Sequence, residues 1–130
     1  MSNLIRNFLF SLFNLSLYAQ NIVDKEGAIV RSDTTKQTIY LCFTGHEYIE
    51  GFVHVMHVLN KFQVKGSFFF TGDFVRNYEE LVKEIANKGH FVGAHSDKHL
   101  LYCDWTKRDS LLHSVYRIKQ DISQNLSALE

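Results

Sequence analysis

The chain has 130 residues, with 14 basic and 14 acidic side chains and a formal net charge of zero. That length suits one domain, and a 45% hydrophobic share excludes a disordered chain. There is no basic excess to neutralise phosphates, so nucleic acid is not expected as a partner.

Residues 1–19 carry Arg6, then an apolar run interrupted by Asn7 and Asn14, and end in Tyr18-Ala19. Basic start, apolar middle and small final residue is the order of a secretory signal peptide, with cleavage expected after Ala19. The run is too short and too interrupted for a membrane span of about 20 apolar residues. Export to a periplasmic or extracellular compartment is therefore expected, and a membrane-spanning helix is not. Packing of this segment as an amphipathic helix is the alternative. Residues 20–38 read as a polar, aperiodic lead-in, and 39–130 as the folded domain. Export permits disulfides, but the only cysteines, Cys42 and Cys103, fall in a strand and a polar loop, and two free thiols are expected.

Ile39-Tyr40-Leu41-Cys42-Phe43 reads as a buried strand. Phe52, Val55, Met56, Leu59 and Phe62 have helical spacing, which predicts a helix over 49–62. A second buried strand follows at 66–70. Asn77, with Glu80 three residues on, reads as a capping box that opens a helix ending at Gly89. A third strand is expected at 90–94 and a last helix over roughly 108–128, with Leu112, Val115, Ile118 and Ile122 inward. Strands alternating with helices predict parallel βαβ units. Chemistry in such folds gathers at the C-terminal strand ends, here 44–47, 71–73 and 95–99.

His95 and His99, four apart just past a strand, can converge on one divalent metal ion. A third ligand is needed, and His46, Glu47 and Asp73 stand at the neighbouring strand ends. His54 and His57 read as surface, and His90 as a packing or capping histidine. Tyr102 and Trp105 suit either a sugar-stacking wall or a core.

The run from Lys65 to His99, KGSFFFTGDFVRNYEELVKEIANKGHFVGAHSDKH, resembles the polysaccharide deacetylase (NodB-homology, carbohydrate esterase family 4) domain. Gly89-His90, Gly93, His95-Ser96 and His99 match the family's G-H, then G-x-H-[ST]-x-x-H pattern in register. The resemblance implies the N-terminal part of a distorted (β/α) barrel, about three parallel strands with intervening helices. It implies a metal-dependent hydrolase removing acetyl groups from a polysaccharide, with His95 and His99 holding a divalent cation, expected to be zinc, and Ser96 orienting the loop. The family's T-F-D-D-G motif supplies a general base and a metal ligand, but Thr44 and Gly45 stand at those two positions. Glu47 is the expected replacement ligand, with His46 and Asp73 as candidates for the base. No counterpart of the family's later motifs follows Asp104. A C-terminal half or another chain is therefore expected to complete the barrel. A catalytically impaired metal- or glycan-binding remnant is the alternative.

Overall fold

The computed structural model describes residues 21–25, 27–32 and 37–130. The expected signal segment lies outside them. The chain divides into two compact units, 1–39 and 40–130. In the first, β1 (Ile22–Val23) pairs antiparallel with β2 (Ile29–Arg31). The expected aperiodic lead-in thus contains a small hairpin. Its turn is local chemistry: Asp24 Oδ1 accepts from the Ala28 N–H at 2.9 Å.

The second unit runs β3 (Cys42–Gly45), α1 (Phe52–Lys61), β4 (Ser67–Phe70), α2 (Gly72–Asn77), α3 (Glu79–Asn87), β5 (Phe91–Ala94) and α4 (Val115–Ala128). Its three strands form a parallel sheet in the order β3-β4-β5. Successive strand residues point to opposite faces, so Phe68 and Phe70 face the helices and are fully buried. They meet Phe52, Met56 and Leu59 of α1, Phe74 of α2, and Val82 and Ile85 of α3. The Phe70 and Phe74 rings stack at 4.5 Å, and Phe52 meets Phe70 edge-on at 5.4 Å. Such pairs add about 0.5–1.5 kcal/mol beyond their buried area.

On the other sheet face, Thr44, Phe69 and Gly93 form one register row, and Cys42, Ser67 and Phe91 the next. Cys42, Thr44 and Phe91 are exposed. The first strand is therefore not buried as expected: among the described residues, the helices cover one face of the sheet. Both thiols, Cys42 and Cys103, are free.

The expected single helix from Asn77 is two. Thr71 caps α2 by accepting from the Phe74 N–H at 3.2 Å. Asn77 closes that helix, and α3 starts after Tyr78 with no side-chain cap bond. Glu80 pairs with Lys83 at 3.5 Å instead of reaching back to a cap. Gly89 ends the helix as expected, in the left-handed region at φ 77.

The last helix is shorter than expected. An isolated bridge pairs Cys103 with Leu111, and the Leu112 N–H donates to Tyr102 O at 2.9 Å, so the chain up to 112 folds back on 102–104 where helix was anticipated. Ser114 then caps α4 through the Arg117 N–H at 3.2 Å. Leu112 and His113 fall before the helix, and Val115 and Ile122 are exposed. The buried residues of α4 are polar: Asp121 and Asn125.

Candidate active site

Register builds the site. Gly45, Phe70 and Ala94 lie side by side across the three strands. The next residues, His46, Thr71 and His95, therefore emerge together at the carboxyl end of the sheet. His46 Nδ1 shares a 3.2 Å hydrogen bond with Thr71 Oγ1. His99 returns over them. Its ring stacks on His46 at 4.8 Å and 17°, and lies 5.1 Å from the His95 ring.

The loop that carries both motif histidines is strained and tightly held. Ser96 and His99 adopt left-handed backbone, φ 62 and 54, a cost of order 1 kcal/mol each for non-glycine residues. The first turn of α2 donates into the loop: Gly72 N–H to Ser96 O at 3.1 Å and Asp73 N–H to Asp97 O at 3.2 Å. The Asp97 carboxylate is buried, and Arg76 grips it with two N–H groups at 2.8 and 3.1 Å. A Cβ on Gly72 would stand 1.8 Å from Asp97 Oδ1, so this approach requires glycine. From the other side, Asp121 accepts from the Asp97 and Lys98 N–H groups, and Asn125 accepts from the His95 N–H.

The remaining expected site residues are placed as follows. Glu47 stays beside His46, Oε1 3.7 Å from Nε2, but its side chain is 62% exposed. Asp73 is bound to Arg76 at 2.7 Å and to Lys98. Those two cations hold its carboxyl below the usual range, Lys98 more than Arg76. Burial, and then the His99 and His46 rings, push the His95 imidazole below its ordinary pKa, which favours the neutral form. Burial and the bond to Asp121 push the Tyr102 phenol up to about 12.

Trp105 is 69% exposed. It lines an open cleft of about 570 Å³ with His95, His99, Leu101 and Tyr102. His54 and His57 are exposed. His90 is buried and accepts from the Gly66 N–H, a packing role.

Sequence reasoning did not single out Arg76, Asp97, Asp121 or Asn125. Their only sequence signal is the four-residue spacing of Asp121 and Asn125 on a helix.

A divalent cation is the group the resemblance implies, and the donor chemistry fits it. Neutral imidazoles and a nearby carboxylate suit zinc-like ions. The arrangement is not ready-made: among the described residues, no three His, Cys, Asp or Glu side chains form a coordinating group. The two expected imidazole ligands, His95 and His99, are tilted by 55° to each other, and His99 stacks on His46.

Parallel strands with covering helices and imidazoles at the strand ends define an α/β protein of the (β/α)-barrel class, represented by three of its strands. Residues 31–130 match the polysaccharide deacetylase family, and the chain belongs to it. It is 36% identical to the peptidoglycan-N-acetylmuramic acid deacetylase PdaA of Bacillus subtilis, over 78% of this chain and 41% of that protein. The structure of PdaA, a family 4 carbohydrate esterase, superposes with a TM-score of 0.60 at 27% identity, covering 96% of this chain and 44% of PdaA. A CE4 family pseudoenzyme from Bacillus anthracis, BA3943, shares the fold at TM-score 0.57 and 21% identity, over 72% of this chain and 31% of its own. The chain thus spans less than half the length of these proteins. No described helix is long and apolar enough to cross a membrane.

Proposed function

We propose that this chain carries the imidazole half of an exported, metal-dependent deacetylase acting on acetylated cell-wall polysaccharide. The observation that carries this reading is the gathering of His95 and His99, which match the family motif in register, with His46 at one sheet end. His95 and His99 hold the cation, with Glu47 as third ligand after rotation of its exposed side chain. The bound cation supplies charge that polarises an acetyl carbonyl and acidifies water. His46 accepts the proton, its ring oriented by Thr71. Asp73, the other candidate base, is already bound to two cations and anchors the loop instead. The cleft beside Trp105 and Tyr102 offers an aromatic wall for a sugar ring. Further strands, from the same polypeptide or a second one, cover the open face carrying Thr44, Phe69 and Phe91. The PdaA relationship makes peptidoglycan the substrate to test first.

A second reading is a metal- or glycan-binding protein without catalysis. It is favoured by Thr44 and Gly45, which put no carboxylate where the family has two. One experiment separates the two. Zinc binding is measured by calorimetry, and acetate release is measured from peptidoglycan, for the wild type and for H95A/H99A. Zinc binding with acetate release, both lost in the variant, supports the enzyme. Zinc binding without acetate release supports the second reading. Stoichiometric zinc on H95A/H99A refutes the site.

A further inference from the structure

We propose that Asp121 and Asn125, one turn apart on α4, are the positioning residues that set the His95–His99 loop. The proposal deepens the metal-site reading above, but its geometry stands without it.

Both side chains are fully buried although polar, so each must be satisfied by protein partners. Asn125 occupies the point where β4 and β5 end. The His95 N–H donates to Phe70 O at 3.0 Å and to Asn125 Oδ1 at 2.6 Å. Asn125 Nδ2 donates back to Phe70 O at 3.1 Å. The amide orientation is fixed by these partners, since a flip would oppose donor to donor and acceptor to acceptor. Asn125 thereby adds one more rung to the ladder and fixes the backbone from which the His95 side chain departs.

Asp121 does the same for the loop's middle. Oδ2 accepts from the Asp97 N–H at 3.0 Å and from the Tyr102 hydroxyl at 2.7 Å. Oδ1 accepts from the Lys98 N–H at 3.1 Å. Two successive amides held by one buried carboxylate restrict the backbone between left-handed Ser96 and left-handed His99. The two imidazoles are thus placed by a helix that contributes no donor to the imidazole cluster itself. Residues that orient metal ligands without touching the metal typically change affinity about 10–100-fold when removed.

The test uses N125L, which keeps the branching and heavy-atom count and removes both side-chain bonds, and D121N, which leaves a donor facing an amide donor. Two readouts are taken on the folded chain: zinc affinity by calorimetry, and amide hydrogen exchange by NMR. The expected result is zinc affinity lowered at least 10-fold in N125L. The His95 amide should lose protection while helix α3 amides keep theirs. D121N should expose the Asp97 and Lys98 amides in the same selective way. A folded N125L with unchanged zinc affinity and unchanged His95 protection overturns the proposal. If the wild type binds no zinc, the metal reading falls, and selective loss of amide protection still decides the positioning role. If N125L does not fold, D121N carries the test, and uniform rather than selective loss of its protection overturns the proposal.

Discussion

Replacing Arg76 by alanine probes what holds the histidine loop from the α2 side. The Asp97 carboxylate is 3% exposed and takes two guanidinium hydrogen bonds, at 2.8 and 3.1 Å. After R76A its nearest remaining cation is Lys98, at 3.8 Å. Stripping one partner from a buried ion pair costs about 3–5 kcal/mol. Arg76 itself is 45% exposed, so solvent already screens part of the interaction, and the expected loss is about 2–3 kcal/mol. That is a large share of a stability of about 5–15 kcal/mol. The measurement is urea unfolding at pH 7.5, followed by far-UV circular dichroism. A second substitution sharpens it. D97N removes the buried charge, so R76A/D97N should lose less than the sum of the single changes. R76A within about 0.5 kcal/mol of wild type, the scatter of ordinary surface changes, or a strictly additive double variant, would refute the argument.

Three further outcomes are expected. G72A should destabilise by about 3 kcal/mol, because its Cβ would collide with Asp97 Oδ1. The sign is the test in a thermal melt, since glycine to alanine in a helix ordinarily gains about 1 kcal/mol. T71V removes both the α2 cap and the His46 bond. It should cost about 1 kcal/mol and change the ¹⁵N ring shifts of His46, both restored by T71S; unchanged ring shifts in T71V would separate Thr71 from His46. Burial first, then Lys65 and Lys88, hold the His90 pKa below 6.5. The folded state therefore binds fewer protons than the unfolded one, and stability falls as pH drops from 6.5 through the folded value, by at most about 1.4 kcal/mol per pH unit. His95, also held below its ordinary pKa, contributes in the same sense, so H90N should reduce this dependence in urea titrations at pH 7.5 and 5, and an equally steep H90N profile would exclude His90 as a contributor.

The alternating strands and helices were legible because their cores follow simple periods. Phe52, Met56 and Leu59 recur at helical spacing, and Phe68 and Phe70 alternate on a strand. The histidine pair was legible because four-residue spacing past a strand is itself a ligand pattern. The family motif Gly89-His90, Gly93, His95-Ser96, His99 was legible for the same reason: it is contiguous in the chain. Capping was misplaced by six residues, at Asn77 rather than Thr71, because both residues are competent caps. Only the approach of α2 to the histidine loop selects between them.

What only the tertiary structure decided is which polar groups are inside. On α4 the sequence presents an apolar stripe, Val115, Ile118 and Ile122, and hydrophobicity alone would bury it, yet Val115 and Ile122 are exposed and Ile118 is half-buried. The structure buries Asp121 and Asn125 instead. Periodicity weighs side chains by their cost of leaving water, and hydrogen bonds offset that cost for a polar group whose partners are supplied. Those partners are the amides of His95, Asp97 and Lys98 and the carbonyl of Phe70, 23 to 55 residues away in the chain. The gathering of His46 with His99 has the same origin. It depends on the register that aligns Gly45, Phe70 and Ala94, which no local pattern encodes.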